Sequence, residues 1–366
     1  MEKKLGFGCM RLPMKIGKVD YEEFNKMIDY YMENGFNYFD TAHGYLGGKS
    51  ETAIRDCLSK RYKREDFILT DKLTKPYFNK KEDIKPFFEE QLKLCGVEYF
   101  DYYLMHAQDR DNYKHFMKCD AYKVAEELKE EGKIKHIGIS FHDTAEVLDQ
   151  LLKEHPEIEI VQIQLNYIDY EDAGVQSRKV YEVCRKYKKP ILVMEPVKGG
   201  NLVNLPEEAK KVFDDINQDK NLSYASYAIR FAASLEGIYK VLSGMSNLEQ
   251  VKDNVSYMKE FEPLTEEEYQ AINQVVEILK KQNGIPCTAC RYCTDGCPKN
   301  ISIPDLFSCY NAKEQFHDWN SSYYYDVHTK TNGKASDCIK CGKCERVCPQ
   351  HLKIRDLLEK VAETFE

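Results

Sequence analysis

A cysteine spacing that occurs twice sets the tightest limit on how this chain can fold. Cys287-x-x-Cys290-x-x-Cys293-x-x-x-Cys297-Pro298 returns 51 residues later as Cys338-x-x-Cys341-x-x-Cys344-x-x-x-Cys348-Pro349. The likeness continues past the thiols, since Ile301-x-Ile303-x-Asp305-Leu306 is answered by Leu352-x-Ile354-x-Asp356-Leu357 at the same offset. Two copies of a unit too small to bury its own core predict one pseudo-twofold domain. Nine of the 14 cysteines fall between Cys287 and Cys348. The N-terminus, MEKKLGFGCMRLP, has no apolar signal core, so a cytoplasmic protein is expected and metal binding leads over disulfides. Structural zinc usually takes two separated pairs of ligands. A compact run of four followed by Pro suits an iron–sulfur cubane, whose four iron corners each want a thiolate.

The runs resemble those of bacterial two-cluster ferredoxins, with a longer segment between them. The resemblance implies two [4Fe–4S] clusters with crossed ligands. Cys287, Cys290, Cys293 and Cys348 would bind one, and Cys338, Cys341, Cys344 and Cys297 the other. Pro304–Gln315 and Ile354–Phe365 read as helices, which points to a mostly helical ferredoxin-like domain over 287–366. Cys9, Cys57, Cys95, Cys119, Cys184 and Cys309 are expected to be apolar filling.

Residues 1–262 have a different rhythm. Short apolar runs alternate with amphipathic helical stretches about every thirty residues. The strand candidates are Leu5–Cys9, Phe36–Asp40, Phe67–Thr70, Tyr99–Met105, Ile134–Ser140, Ile160–Leu165, Ile191–Met194 and Tyr239–Ser243. Asp20-x-x-Glu23 reads as a capping box, Gly35 as a helix stop, Ser50 as the start of the next helix and Gly132 as the close of a helix from Asp120. Eight such units predict an α/β chain with a (β/α)8 barrel. An open dinucleotide-binding sheet is disfavoured, because Gly6-x-Gly8 lies inside the first strand and makes no phosphate loop. A helix over Thr265–Gln282 and the breaker Asn283-Gly284-Ile285-Pro286 make 263–286 the connection between the two domains.

In a barrel of this kind, polar residues at the C-terminal strand ends are the catalytic candidates. Asp40, Lys72 and His106 stand after the second, third and fourth strands, and Tyr45 follows Asp40 in Phe39-Asp40-Thr41-Ala42-x-x-Tyr45. In this order the four residues resemble the tetrad of the aldo-keto reductase family, and the likeness extends over residues 1–262. The resemblance implies that Tyr45 protonates a carbonyl oxygen as hydride reaches carbon. An ammonium at Lys72 would favour the phenolate, Asp40 would hold Lys72 charged, and His106 would steer the carbonyl.

The cofactor positions match the family less closely. Ser140 and Gln162 stand where the family contacts the nicotinamide amide, but Phe141 replaces the usual Asn. Met194 occupies the place of the stacking aromatic and Glu195 that of a serine, while Pro196 and Gly199-Gly200 keep the following loop. The last segment retains Ser243, Gly244, Ser246, Gln250 and Asn254 but lacks the basic residue that holds the 2′-phosphate of NADP. Backbone N–H groups at a helix start can still bind phosphate there. NAD(P)(H) is therefore expected, and FMN is a second candidate, because hydride chemistry and one-electron clusters are usually joined by a carrier with a stable radical.

The expected function is an oxidoreductase acting on a small carbonyl or alcohol, with the clusters as electron conduit and a redox partner protein in prospect. The alternative is an electron-transfer or partner-binding module with an inactive barrel. A net charge of -8 without a basic tract argues against nucleic acid. A mean hydropathy of -0.61 and the lack of a long apolar run argue against a membrane span.

Overall fold

Eight parallel strands close on themselves in the computed structural model, which describes residues 3–217, 221–281, 284–287, 289–294 and 296–366. They are β1 (Leu5–Gly8), β2 (Tyr38–Asp40), β3 (Ile68–Leu73), β4 (Phe100–Gln108), β5 (Ile134–Phe141), β6 (Ile160–Gln164), β7 (Ile191–Met194) and β8 (Ile238–Ser243). Each pairs with the next and β8 with β1, so no edge is left open. All eight expected strands are present. Inside the barrel, Tyr38, Leu104, Ile160, Leu192 and Leu242 pack against one another. Gly138 marks the tightest point, since a Cβ there would stand 2.5 Å from Leu104 and 2.6 Å from Ile160.

Two strands run further than their sequence suggests. β3 continues through Lys72 because Lys72 and Leu73 pair in register with Leu104 and Met105, and β4 runs on past His106 through an irregularity between Met105 and Gln108. Both catalytic candidates therefore sit on strand backbone, where position is held more firmly than on a loop. The capping box at Asp20 is half formed. Asp20 accepts from the Glu23 amide at 3.2 Å, while Glu23 turns away to accept from Leu248 N at 2.8 Å. Ser50 lies inside the helix Lys49–Ile54 instead of capping it. Its hydroxyl bonds Cys9 O and Thr41 Oγ1, tying three segments together.

The helix Glu266–Lys281 packs its apolar face on the barrel; Gln282 and Asn283 lie outside the described residues. Beyond it, helices Ile303–Phe316, Asn320–Thr329, Lys343–Arg346 and Ile354–Phe365 enclose a separate core that includes Ile303, Phe307, Ile354 and Leu358. The repeat is visible here, as Ile303 and Ile354 hold matching places in that core. The helix Asn320–Thr329 was not foreseen. It rests against the barrel through polar contacts: Tyr323 Oη donates to Asp109 at 2.6 Å, and His328 Nε2 stands 3.0 Å from Gly174 O. Among the described residues, no helix is long and apolar enough to cross a membrane.

Candidate active site and cysteine rings

Asp40 closes β2 and Lys72 lies beside it on β3. Lys72 Nζ stands 2.6 Å from Asp40 Oδ1 and 2.7 Å from Thr41 O, with both side chains buried. Gln162 Nε2 donates to the second Asp40 oxygen at 3.1 Å. Burial works against the Lys72 ammonium, but Asp40 outweighs it and holds the amine above its ordinary value. Behind the pair, burial also pushes the Glu51 carboxyl up to about 7 and raises Asp71.

Tyr45 opens the short turn Tyr45–Gly47, placing its ring 4.9 Å from Lys72 Nζ and 6.2 Å from the His106 ring. The expectation of an acidified phenol is corrected here. Burial lifts Tyr45 above its ordinary value, and the downward pull of Lys72 only offsets part of that rise. A phenol that stays protonated at neutral pH is suited to donating a proton. Burial, then Lys72 and His142, drives His106 well below its usual range, so its ring is neutral. Thr74 Oγ1 is 2.7 Å from His106 Nδ1 and 3.5 Å from Lys72 O. With the hydroxyl hydrogen given to Nδ1, the ring proton sits on Nε2 and points away from Thr74; with it given to Lys72 O, the ring proton sits on Nδ1.

A cavity of about 750 Å³ opens at the C-terminal ends of the strands. Its walls bring together Asp40, Tyr45, His106, Ser140, Gln162, Glu195, Gly199, Ser243, Gly244, Ser246, Gln250 and Asn254, with Lys72 just beneath them. Several of these side chains are occupied by one another. Ser140 Oγ accepts from Ala107 N at 2.7 Å, and Asn254 Nδ2 donates to Ser243 Oγ at 2.6 Å. Gln250 Oε1 accepts from Ser246 N at 2.7 Å. Gln162, assigned from the sequence to the cofactor, also steadies Asp40. Burial raises the Glu195 carboxyl, with Arg11 pulling the other way.

The sequence reading missed Arg11, His142, Trp319 and Asn320, all of which line the cavity. Arg11 crosses from the turn after β1 to lie over two glycines. Its Nη2 is 3.2 Å from where a Gly199 Cβ would be, and its Cδ is 3.2 Å from the same point on Gly244. Its guanidinium has no ion pair or side-chain hydrogen bond among the described residues. His142 stands two residues beyond Ser140 and was findable by the strand-end rule. Burial pushes it down to about 4, and its Nδ1 is buried without a partner among the described residues. Trp319 and Asn320 come from the cluster domain, which forms part of the cavity wall.

In that domain the cysteines gather in two rings. Cys287, Cys290, Cys293 and Cys348 surround one small cavity, and Cys297, Cys338, Cys341 and Cys344 a second. Ile303 lines both. Each ring draws its fourth thiol from the other run, and apolar side chains stand beside the thiols, including Phe307 in one and Leu358 in the other. Four converging thiols fit a [4Fe–4S] cluster. The six cysteines expected as filling are all buried, and none of them lines either ring.

Comparison with known proteins shows a match to the aldo/keto reductase family over residues 4–277 and to a 4Fe-4S dicluster domain over residues 286–353. An uncharacterized oxidoreductase of Bacillus subtilis, YqkF, is 25% identical, over 74% of this chain and 91% of its own. An NADH-specific methylglyoxal reductase of Escherichia coli is 25% identical, over 61% of this chain and 78% of its own. The solved holo form of an aldo-keto reductase from Bacillus halodurans is 26% identical with a TM-score of 0.59, covering 74% of this chain and 91% of that one.

Proposed function

The chain belongs to the aldo/keto reductase family, with a 4Fe-4S dicluster domain after its barrel, and from that premise we propose that it interconverts a small carbonyl and its alcohol with a nicotinamide dinucleotide. The buried Asp40–Lys72 pair beneath Tyr45 and beside His106 carries this reading. A binding barrel would gain nothing from a buried ammonium placed under a phenol.

The nicotinamide would supply the hydride, and clusters in the two cysteine rings would move single electrons. The chain's own residues do the proton work. Tyr45 Oη donates its proton to the carbonyl oxygen, and His106 Nε2–H hydrogen-bonds the same oxygen and orients it. Lys72 stabilises the phenolate left behind, and Asp40, held by Gln162, keeps Lys72 charged and in place. Arg11 is the cation available to the cofactor's phosphates, flanked by the Gly199 and Gly244 backbones. The family match favours a nicotinamide dinucleotide over FMN. Ion pairs from Lys198 to Asp318 and from Lys330 to Asp109 hold the cluster domain against the barrel mouth.

Replacing Tyr45 with Phe tests the reading. With a panel of small aldehydes and either NADH or NADPH, turnover should fall by at least ~100-fold while cofactor binding persists. Turnover unchanged in the folded variant would leave the binding-module reading in its place.

A further inference from the structure

The two cysteine rings differ in their surroundings. The ring of Cys287, Cys290, Cys293 and Cys348 lies on the barrel side. Arg291 on its wall is bound to buried Asp305 and also lines a cleft with Arg110, Glu146 and Lys179 of the barrel. The second ring is walled only by residues from Cys297 to Leu358, and its rim is cationic: Lys299, Lys343 and Arg355.

Lys299, Lys343, Arg346 and Lys353 are exposed and make no ion pair or side-chain hydrogen bond among the described residues. Lys343 and Arg346 share one short helix, and Lys353 acts on the charge of Glu345 between them. Most acids of this repeat copy are already engaged. Glu345 pairs with Arg355 at 2.7 Å, Glu359 pairs with Lys340, and Asp337 accepts from Lys334 N at 2.8 Å. Asp356 and Glu363 are the exposed acids left over. Two large apolar side chains stand in the same region, Ile339 at 58% exposed and Val347 at 49%. On a chain of net charge -8, this face is opposite in sign to the whole. Cations lining the cavity could serve only to offset the negative charge of a thiolate-held cluster. Arg346 and Lys353 do not line it, and exposed Ile339 has no such use.

We propose that this face is the docking surface for a small acidic one-electron carrier protein, which meets the cluster held by Cys297, Cys338, Cys341 and Cys344. The proposal rests on the reading of those thiols as cluster ligands. Each encounter moves one electron between carrier and cluster, with no bond formed and no proton transferred. Unpaired lysines around an exposed apolar spot provide steering and contact area together, the pattern of a transient electron-transfer interface.

The test uses the full-length, cluster-loaded protein and an acidic flavodoxin as probe. Calorimetric titration should show binding that weakens at least ~10-fold from low to high salt. Arg346→Gln/Lys353→Gln, two positions away from the cavity wall, should weaken it ~10-fold at low salt, and the rate at which reduced flavodoxin bleaches the clusters should fall in parallel. Methyl viologen radical, a small cation that needs no docking face, should bleach wild type and variant alike. If viologen bleaches both while flavodoxin binding ignores salt and variant, or a basic carrier binds better, the docking surface is refuted. If iron and sulfide counts on the anaerobically purified protein show no cluster in the ring of Cys297, Cys338, Cys341 and Cys344, the cluster reading fails and takes the proposal with it.

Discussion

Lys198 of the barrel and Asp318 of the cluster domain stand 2.7 Å apart, both almost wholly buried, and Lys198 also reaches Asp169 of the barrel at 2.8 Å. Charges are rarely buried at a seam unless the seam is meant to stay closed. Breaking a buried pair costs about 3–5 kcal/mol, and the surviving Asp169 contact should hold the loss to about 2–3 kcal/mol. Asp318→Asn is therefore expected to lower the melting temperature of the cluster-loaded protein and to speed proteolysis near Trp319. Because Trp319 and Asn320 line the cavity, the KM for substrate should rise as well.

The tetrad also sets a pH dependence. Tyr45 needs its proton to act as an acid. That proton is present below its folded-state pKa, which burial places above the ordinary phenol value. His106 is already neutral, since burial holds its pKa well below the usual range. Carbonyl reduction should then be level from about pH 6 to about pH 9, without a histidine limb. Lys72→Met removes the cation that pulls Tyr45 down, so the phenolate needed for alcohol oxidation becomes harder to form. Oxidation should fall at least ~100-fold, and reduction with it, because a variant cannot shift the equilibrium between carbonyl and alcohol. kcat/KM in both directions on the same folded variant checks this, and an unchanged value in either would count against it.

The crossed cysteine rings make a pairwise expectation. Cys297→Ser should cost the cluster shared with Cys338, Cys341 and Cys344, leaving the ring closed by Cys348 intact. Adding Cys338→Ser to it should cost little more, whereas adding Cys290→Ser should empty both rings. Iron and sulfide counts on anaerobically prepared protein, with paramagnetic resonance of the reduced state, distinguish these. If Cys297→Ser and Cys290→Ser prove redundant, each run binds its own cluster.

Much of this was legible because the signals were local. Strand and helix periodicity located all eight barrel strands, and the doubled cysteine run located both rings. Strand ends were less legible. Lys72 and His106 are polar residues that read as loop, yet the parallel register carries Lys72 into β3, and β4 runs on past His106. The helix Asn320–Thr329 escaped because its buried face includes Asn320 and Ser321, which bond Asp318, and His328, which meets Gly174 O of the barrel, and these leave no apolar period to read. The cationic rim was hidden in the same way. Lys299 and Lys343 are far apart in sequence, and only the pseudo-twofold packing brings them around one cavity.

Arg11 is the residue that sequence position disguised most. The phosphate segment after β8 lacks the basic residue that the family uses for the 2′-phosphate, which made phosphate binding look weak. The fold delivers a guanidinium there from the opposite end of the chain, laid over Gly199 and Gly244. A charged hydrogen bond of this kind is worth about 1.5–3 kcal/mol, so Arg11→Gln should weaken cofactor binding about 10- to 100-fold by fluorescence titration, with kcat nearly unchanged. Comparing the two nicotinamide cofactors locates the contact. An equal loss for NADH and NADPH places Arg11 on the pyrophosphate they share, and a loss confined to NADPH places it on the 2′-phosphate. Unaltered binding of both would mean that the guanidinium faces solvent and that backbone amides at the Leu248–Met258 helix start hold the phosphates alone.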